Sequence, residues 1–176
     1  MKALVFSDSH GRTIDMYDAI ERECPDAVFH LGDCYEDACD LRRSYPSLPV
    51  YAVLGNNDWG QDAPTQAVVR VGGVSVYFAH GHREGATFAS PGRLPQHAAE
   101  KGCALALYGH THVVYHERHG AVEVLNPGSI SLPRSGPASY ARLTIANGAV
   151  QAVEILDAEG QPWTRERKTK RRWGWK

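Results

Sequence analysis

Five short stretches carry side chains that bind hard or borderline metal ions: Asp8-Ser9-His10, Gly32-Asp33, Gly55-Asn56-Asn57-Asp58, His80-Gly81-His82 and Gly109-His110-Thr111-His112. The candidate ligands among them are four imidazoles (His10, His80, His110, His112), two carboxylates (Asp8, Asp33) and the amide oxygen of Asn56. Nitrogen and oxygen donors without thiolate suit Mn2+, Fe, Zn2+ or Ni2+ better than Ca2+ or a soft metal. Seven ligands are too many for one ion. They suffice for two divalent ions if one carboxylate is shared, and Asp33 is the candidate bridge. Two such ions held close together act as Lewis acids and lower the pKa of a water shared between them.

Each stretch follows an apolar run, so strands must deliver the ligands. Ala3 to Phe6, Ala27 to Leu31 and Val50 to Leu54 read as buried strands, with helices over 13–24 and 35–45 between them. The first helix is expected to bury Ile14, Tyr17, Ile20 and Cys24. Strand–helix alternation predicts a parallel sheet with its site at the carboxyl ends of the strands. The second half changes to a meander. Hairpins are expected over 67–79, 113–125 and 140–156, the last turning at Asn147-Gly148, with a short helix over 95–101 and a strand over 104–108. In an extended segment residues i and i+2 point the same way. Asp8 with His10, and His110 with His112, are therefore expected to converge from straight backbone.

A chain of 176 residues, 43% of them hydrophobic, suits one globular domain. Residues 1–160 are expected to form it, with 161–176 a flexible basic tail. From Thr164 to Lys176 there are seven Lys/Arg and one Glu, a count of +6 against −7 for the rest. The tail reads as a solvated segment, with nucleic acid as the alternative partner because Trp163, Trp173 and Trp175 lie among the arginines. No apolar run approaches the roughly 18 residues that span a bilayer, and none resembles a targeting leader, so a cytoplasmic protein without a membrane partner is expected. Cys24, Cys34, Cys39 and Cys103 form no CxxC pattern and read as reduced thiols, a Cys34/Cys39 metal pair being the alternative. There is no G-x-S-x-G and no P-loop, which argues against a serine hydrolase and a P-loop NTPase.

Taken in order, the five stretches resemble the calcineurin-like metallophosphoesterase superfamily, whose pattern DxH…GD…GN…H…GHxH they match. The likeness runs from Lys2 to about Leu156 and is nearest to the small single-domain phosphodiesterases that share a fold with vacuolar sorting protein 29. The Asn126-Pro127-Gly128-Ser129 turn and Leu132-Pro133-Arg134 are also similar to those small members. The resemblance implies an α/β (α+β) fold, a four-layer αββα sandwich of two mixed sheets flanked by helices. It implies that Asp8, His10 and His112 hold one metal, that Asn56, His80 and His110 hold the other, and that Asp33 bridges them, with Mn2+ the favoured ion. The implied activity is hydrolysis of a phosphate-ester small molecule or nucleotide by a metal-dependent phosphodiesterase or phosphatase. A non-catalytic protein-interaction scaffold and a nuclease using the basic tail are the alternatives. Oligomeric state is left open.

One departure bears on catalysis. Many larger members have histidine after GN, where this chain has Asn57. Asn57 can donate a hydrogen bond to phosphate but cannot be a general acid. His82 is the candidate replacement proton donor, with a structural place as its other reading. Asp58 is expected either to orient a ligand histidine or to cap its loop. Asn56 and Arg134 are the candidate substrate contacts, Arg134 having a surface ion pair as its alternative. His30 reads as a core histidine.

Overall fold

The computed structural model describes residues 1–165. Ten strands and three helices run β1 (Lys2–Phe6), α1 (Ile14–Glu23), β2 (Ala27–His30), α2 (Tyr35–Ser44), β3 (Val50–Ala52), β4 (Gln66–Val71), β5 (Val74–Ala79), α3 (Leu94–Glu100), β6 (Leu105–Leu107), β7 (Val114–His119), β8 (Val122–Pro127), β9 (Ser139–Ala146) and β10 (Ala149–Asp157). They make two five-stranded mixed sheets, ordered β10-β9-β1-β2-β3 and β4-β5-β6-β8-β7. In the first, β1, β2 and β3 are parallel, and β9 and β10 add antiparallel pairs. In the second, β5, β6 and β8 are parallel, with β4 and β7 returning antiparallel at the edges.

The unbroken apolar run of β1 follows from burial on both faces. Alternate residues serve different layers: Ala3 and Val5 join Phe29, Phe78, Leu107 and Leu143 between the sheets, while Leu4 and Phe6 pack with Met16, Ile20 and Leu41 under α1 and α2. A third cluster, including Tyr77, Leu94, Ala98 and Tyr108, lies under α3. Helices therefore flank two stacked sheets, as the sandwich predicts.

The face of α1 differs from expectation. Met16, Ala19, Ile20 and Glu23 are buried, whereas Ile14 and Cys24 are exposed. The cause is Glu23, a polar position on the inward stripe. Arg142 donates to both of its carboxylate oxygens at 3.0 and 2.9 Å, and Lys2 Nζ lies 3.3 Å from Oε2. A carboxylate is buried readily only when so paired.

Residues 166–176, with Trp173, Trp175 and most of the basic tail, lie outside the described part. Trp163 is held against the body: its indole N–H donates to Pro137 O at 3.2 Å and its backbone N–H to Ile155 O at 2.9 Å. No helix among the described residues is long and apolar enough to cross a membrane.

Candidate metal centre

The parallel strands β1, β2 and β3 of one sheet, and β5 and β6 of the other, each pass into a ligand-bearing loop. The loops are sewn together by backbone. Asp8 N–H donates to Gly32 O (3.1 Å), His10 N–H to Asp33 O (3.2 Å) and Gly109 N–H to His80 O (2.9 Å). Close packing explains the motif glycines. A Cβ on Gly32 would stand 2.6 Å from Gly55 N and 2.9 Å from His80 Nδ1. A Cβ on Gly55 would strike Asp33, and one on Gly109 would strike Ser7 Oγ.

Asp8, His10, Asp33 and His112 each offer one donor atom, all within 4.8 Å of one another. His10 Nε2 lies 3.4 Å from His112 Nε2 and 3.8 Å from Asp33 Oδ2, and His112 Nε2 lies 3.3 Å from Asp8 Oδ1. On the other side of Asp33, His80 Nε2 is 3.4 Å from Asp33 Oδ1 and 3.1 Å from Asn56 Oδ1. The His110 ring centroid is 5.2 Å from that of His80. No cysteine belongs to the donor group among the described residues.

The convergence is not made by extended backbone. Asp8, His10, Asp33, His110 and His112 all have positive φ, between 47° and 67°. Left-handed backbone turns each side chain inward from a tight loop, which straight i, i+2 geometry would not do. Asp and His tolerate this region better than most residues.

The donors suit a divalent cation. His80 Nδ1 lies 2.7 Å from Leu31 O and His112 Nδ1 lies 2.6 Å from Leu132 O. A carbonyl only accepts, so each Nδ1 carries the proton and each Nε2 keeps its lone pair for a ligand. Asp8 Oδ1 is buried without a hydrogen-bond partner, while Oδ2 accepts from Ser7 Oγ (2.6 Å) and His110 N–H (3.1 Å). Burial pushes Asp8 up, but His112 and His80 outweigh it and hold the carboxyl below its ordinary value. Burial pushes His112 down, but the neighbouring Asp8 carboxylate prevails and raises it, against the opposing charge of Arg134. Burial and His80 lower His110.

The remaining candidates divide. Asn57 is engaged with Asp33: its N–H donates to Oδ1 (3.0 Å) and its Nδ2 to Oδ2 (2.7 Å). Of the two readings of Asp58, the loop cap is the one its contacts fit: among the described residues no histidine hydrogen-bonds to it. Its carboxylate accepts from the backbone N–H groups of Asp33 (3.1 Å), Cys34 (2.9 Å), Tyr35 (2.7 Å) and Gly55 (2.7 Å). It thereby caps α2 from another loop, where Cys34 at the N-cap supplies no side-chain bond. The His82 ring packs 5.3 Å from His80 and 6.0 Å from His110, its Nδ1 buried without a partner. Burial, His80 and His110 lower its pKa. Arg134 is exposed and stands over Phe88, with no ion pair among the described residues. His30 is fully buried, with Nε2 2.8 Å from Ser9 Oγ.

Residue types alone did not reveal what braces the loops. Ser129 Oγ and Ser131 Oγ both donate to Asp8 O, at 2.8 and 2.9 Å. Asn126 Nδ2 donates to Gly109 O at 2.7 Å. The Asn126–Ser129 turn thus ties the first ligand loop to the last.

The chain matches the calcineurin-like phosphoesterase superfamily domain over residues 1–148. It is 32% identical over 164 residues to the probable metallophosphoesterase YsnB of Bacillus subtilis (strain 168), covering 91% of this chain and 93% of that one. It is 38% identical over 118 residues to phosphodiesterase YfcE of Escherichia coli (strain K12), covering 61% and 58%. A solved structure described as a predicted phosphoesterase, from Streptococcus pneumoniae TIGR4, superposes with a TM-score of 0.75 at 32% identity, over 92% of this chain and 91% of that one. Vps29 of Entamoeba histolytica, solved in complex with zinc, superposes with a TM-score of 0.67 at 21% identity, over 90% and 99%, a likeness of fold alone.

Proposed function

The chain belongs to the calcineurin-like phosphoesterase superfamily, and from that premise we propose that it is a phosphodiesterase working with two divalent metal ions. Asp8, His10 and His112 would hold one ion, Asn56, His80 and His110 the other, and Asp33 would be shared between them. Mn2+ is the favoured pair, with Fe, Zn2+ or Ni2+ as substitutes. The observation that supports the reading is the position of Asp33, grouped with Asp8, His10 and His112 on one side and with its other oxygen 3.4 Å from His80 Nε2, which in turn lies 3.1 Å from Asn56 Oδ1. When bound, the ions supply Lewis-acid charge and an activated water for in-line attack on phosphorus.

The chain's own groups do the rest. Asn57 holds Asp33 by both oxygens and fixes the plane of its carboxylate. Asp58 fixes the loops of Asp33 and Gly55 relative to each other. His82 packs beside His80 and His110 as the candidate proton donor. Asn57 cannot give a proton, so esters of acidic alcohols, which leave without one, are the preferred substrates. The reading places the protein in the cytoplasm, where its four free cysteines stay reduced.

The test is hydrolysis of bis(p-nitrophenyl) phosphate and p-nitrophenyl phosphate by purified protein with added Mn2+. Diester hydrolysis that stops on chelation is expected. Failure to hydrolyse either ester with Mn2+, Fe2+, Zn2+ or Ni2+ would refute the reading.

A further inference from the structure

Six large hydrophobic side chains are exposed among the described residues: Met1, Ile14, Trp59, Val68, Phe88 and Leu132. Four of them follow closely on candidate ligands or brace one. Ile14 comes after His10, Trp59 after Asn56-Asn57-Asp58 and Phe88 after His80-Gly81-His82, while Leu132 accepts from His112 through its carbonyl. The loops around a buried polar site thus end in apolar side chains that the fold leaves uncovered.

Phe88, 60% exposed, differs from the others in having a cation on its face: Arg134 Cζ lies 5.3 Å from the ring centroid. Both partners are anchored to ligand segments. Arg134 N–H donates to His112 O at 3.0 Å, and the Phe88 loop is pinned where Ala86 N–H donates to Gly81 O at 3.0 Å. The Arg134 guanidinium has no carboxylate and no hydrogen-bond acceptor among the described residues, so its donors are free.

We propose that Phe88 and Arg134 form a stacking platform beside the metal centre, and that the substrate is a phosphate ester whose organic group carries an aromatic ring of the nucleobase kind. The inference rests on the phosphoesterase reading and adds the substrate class to it. The chemistry fits both halves of such a molecule. A flat base stacks on a ring or a guanidinium plane, and the free donors of Arg134 meet the phosphate as a planar fork. An alkyl ester would use only the second contact.

Binding separates the platform from the hydrolysis. Thymidine 5′-phosphate and methyl phosphate are titrated calorimetrically into the Mn2+-loaded full-length protein, and into Phe88→Ala and Phe88→Tyr. The wild type is expected to bind the nucleotide about tenfold more tightly, the lower end of base–aromatic stacking. Phe88→Ala should bring the two affinities together, and Phe88→Tyr should restore the difference. Equal affinities in the wild type, or a preference unchanged in Phe88→Ala, would overturn the proposal. Thymidine 5′-p-nitrophenyl phosphate is assayed for hydrolysis in parallel. A binding preference without hydrolysis would refute the phosphoesterase reading and leave the platform standing. Hydrolysis without a preference would do the reverse.

Discussion

The two ends of the sandwich turn their strands by opposite means. At the far end the hairpins turn on Gly72 and Gly73 (φ 58° and 88°), Gly120 (61°) and Asn147-Gly148 (53° and 71°). Glycine and asparagine occupy that region at little cost. At the ligand end the positive-φ positions include Asp8, His10, Asp33, Cys34, His110 and His112. Each non-glycine residue there costs on the order of 1–2 kcal/mol, less for Asp and His. A hollow of about 350 Å3 also lies at the far end, lined by Gly73, Gly102, Gly148, Arg118 and Glu123 among others. Its Arg118 and Glu123 lie 3.7 Å apart as an ion pair, and it has none of the convergent donors. The candidate metal centre is set apart from it by tolerated strain, buried charge and an unpartnered carboxylate oxygen.

If the ligand end is the held one, changes there should cost more than at the far end. The largest effect is expected from pH. Burial drives His30, behind Ser9 and Asp8, down to about 4 from an ordinary 6.5. Because the folded value is the lower one, the unfolded chain takes up the proton first. Stability therefore falls as pH drops from 6.5 to about 4, by about 3 kcal/mol in all. His30→Gln should flatten that part of the pH profile in urea melts; an unchanged slope would assign the acid sensitivity elsewhere. Next comes Gly109→Ala, whose Cβ meets Ser7 Oγ, against Gly120→Ala, whose Cβ meets nothing within 4 Å. The first should lose about 2–3 kcal/mol through overpacking, the second about 1 kcal/mol through its left-handed φ. Equal losses would erase the contrast. Asp58→Ala, which leaves four backbone N–H groups to water, should cost about 2 kcal/mol, at the lower end of the loss for Gly109→Ala. Asp58→Asn, which keeps the acceptor Oδ1, should recover part of that in the same melts. No recovery would deny the capping role.

Strand ends and ligand types were legible because apolar runs and metal donors are properties of residue type. The order of Asp8, Asp33, Asn56, His80 and His110 along the chain was enough to suggest both the sandwich and the phosphoesterase family. What was not legible depends on the three-dimensional surroundings. Left-handed backbone at Asp8 and His112 leaves no mark in the sequence, so straight strands were expected where tight loops occur. The buried place of Glu23 depends on Arg142, 119 residues away, which no local pattern reveals. Asp58 could be read either as a partner for a histidine or as a loop cap, and only the fold brings four N–H groups to it. The brace from Ser129 and Ser131 to Asp8 spans more than 120 residues and could not be read from local pattern.

The central claim is that Asp33 joins two metal ions in one centre. Manganese bound per chain, measured by equilibrium dialysis on the full-length wild type and on Asp33→Ala alongside diester hydrolysis, tests it most directly. The account predicts two ions per wild-type chain, fewer in Asp33→Ala, and loss of hydrolysis with them. At most one ion in the wild type, or an Asp33→Ala protein that binds two and hydrolyses as before, would contradict it.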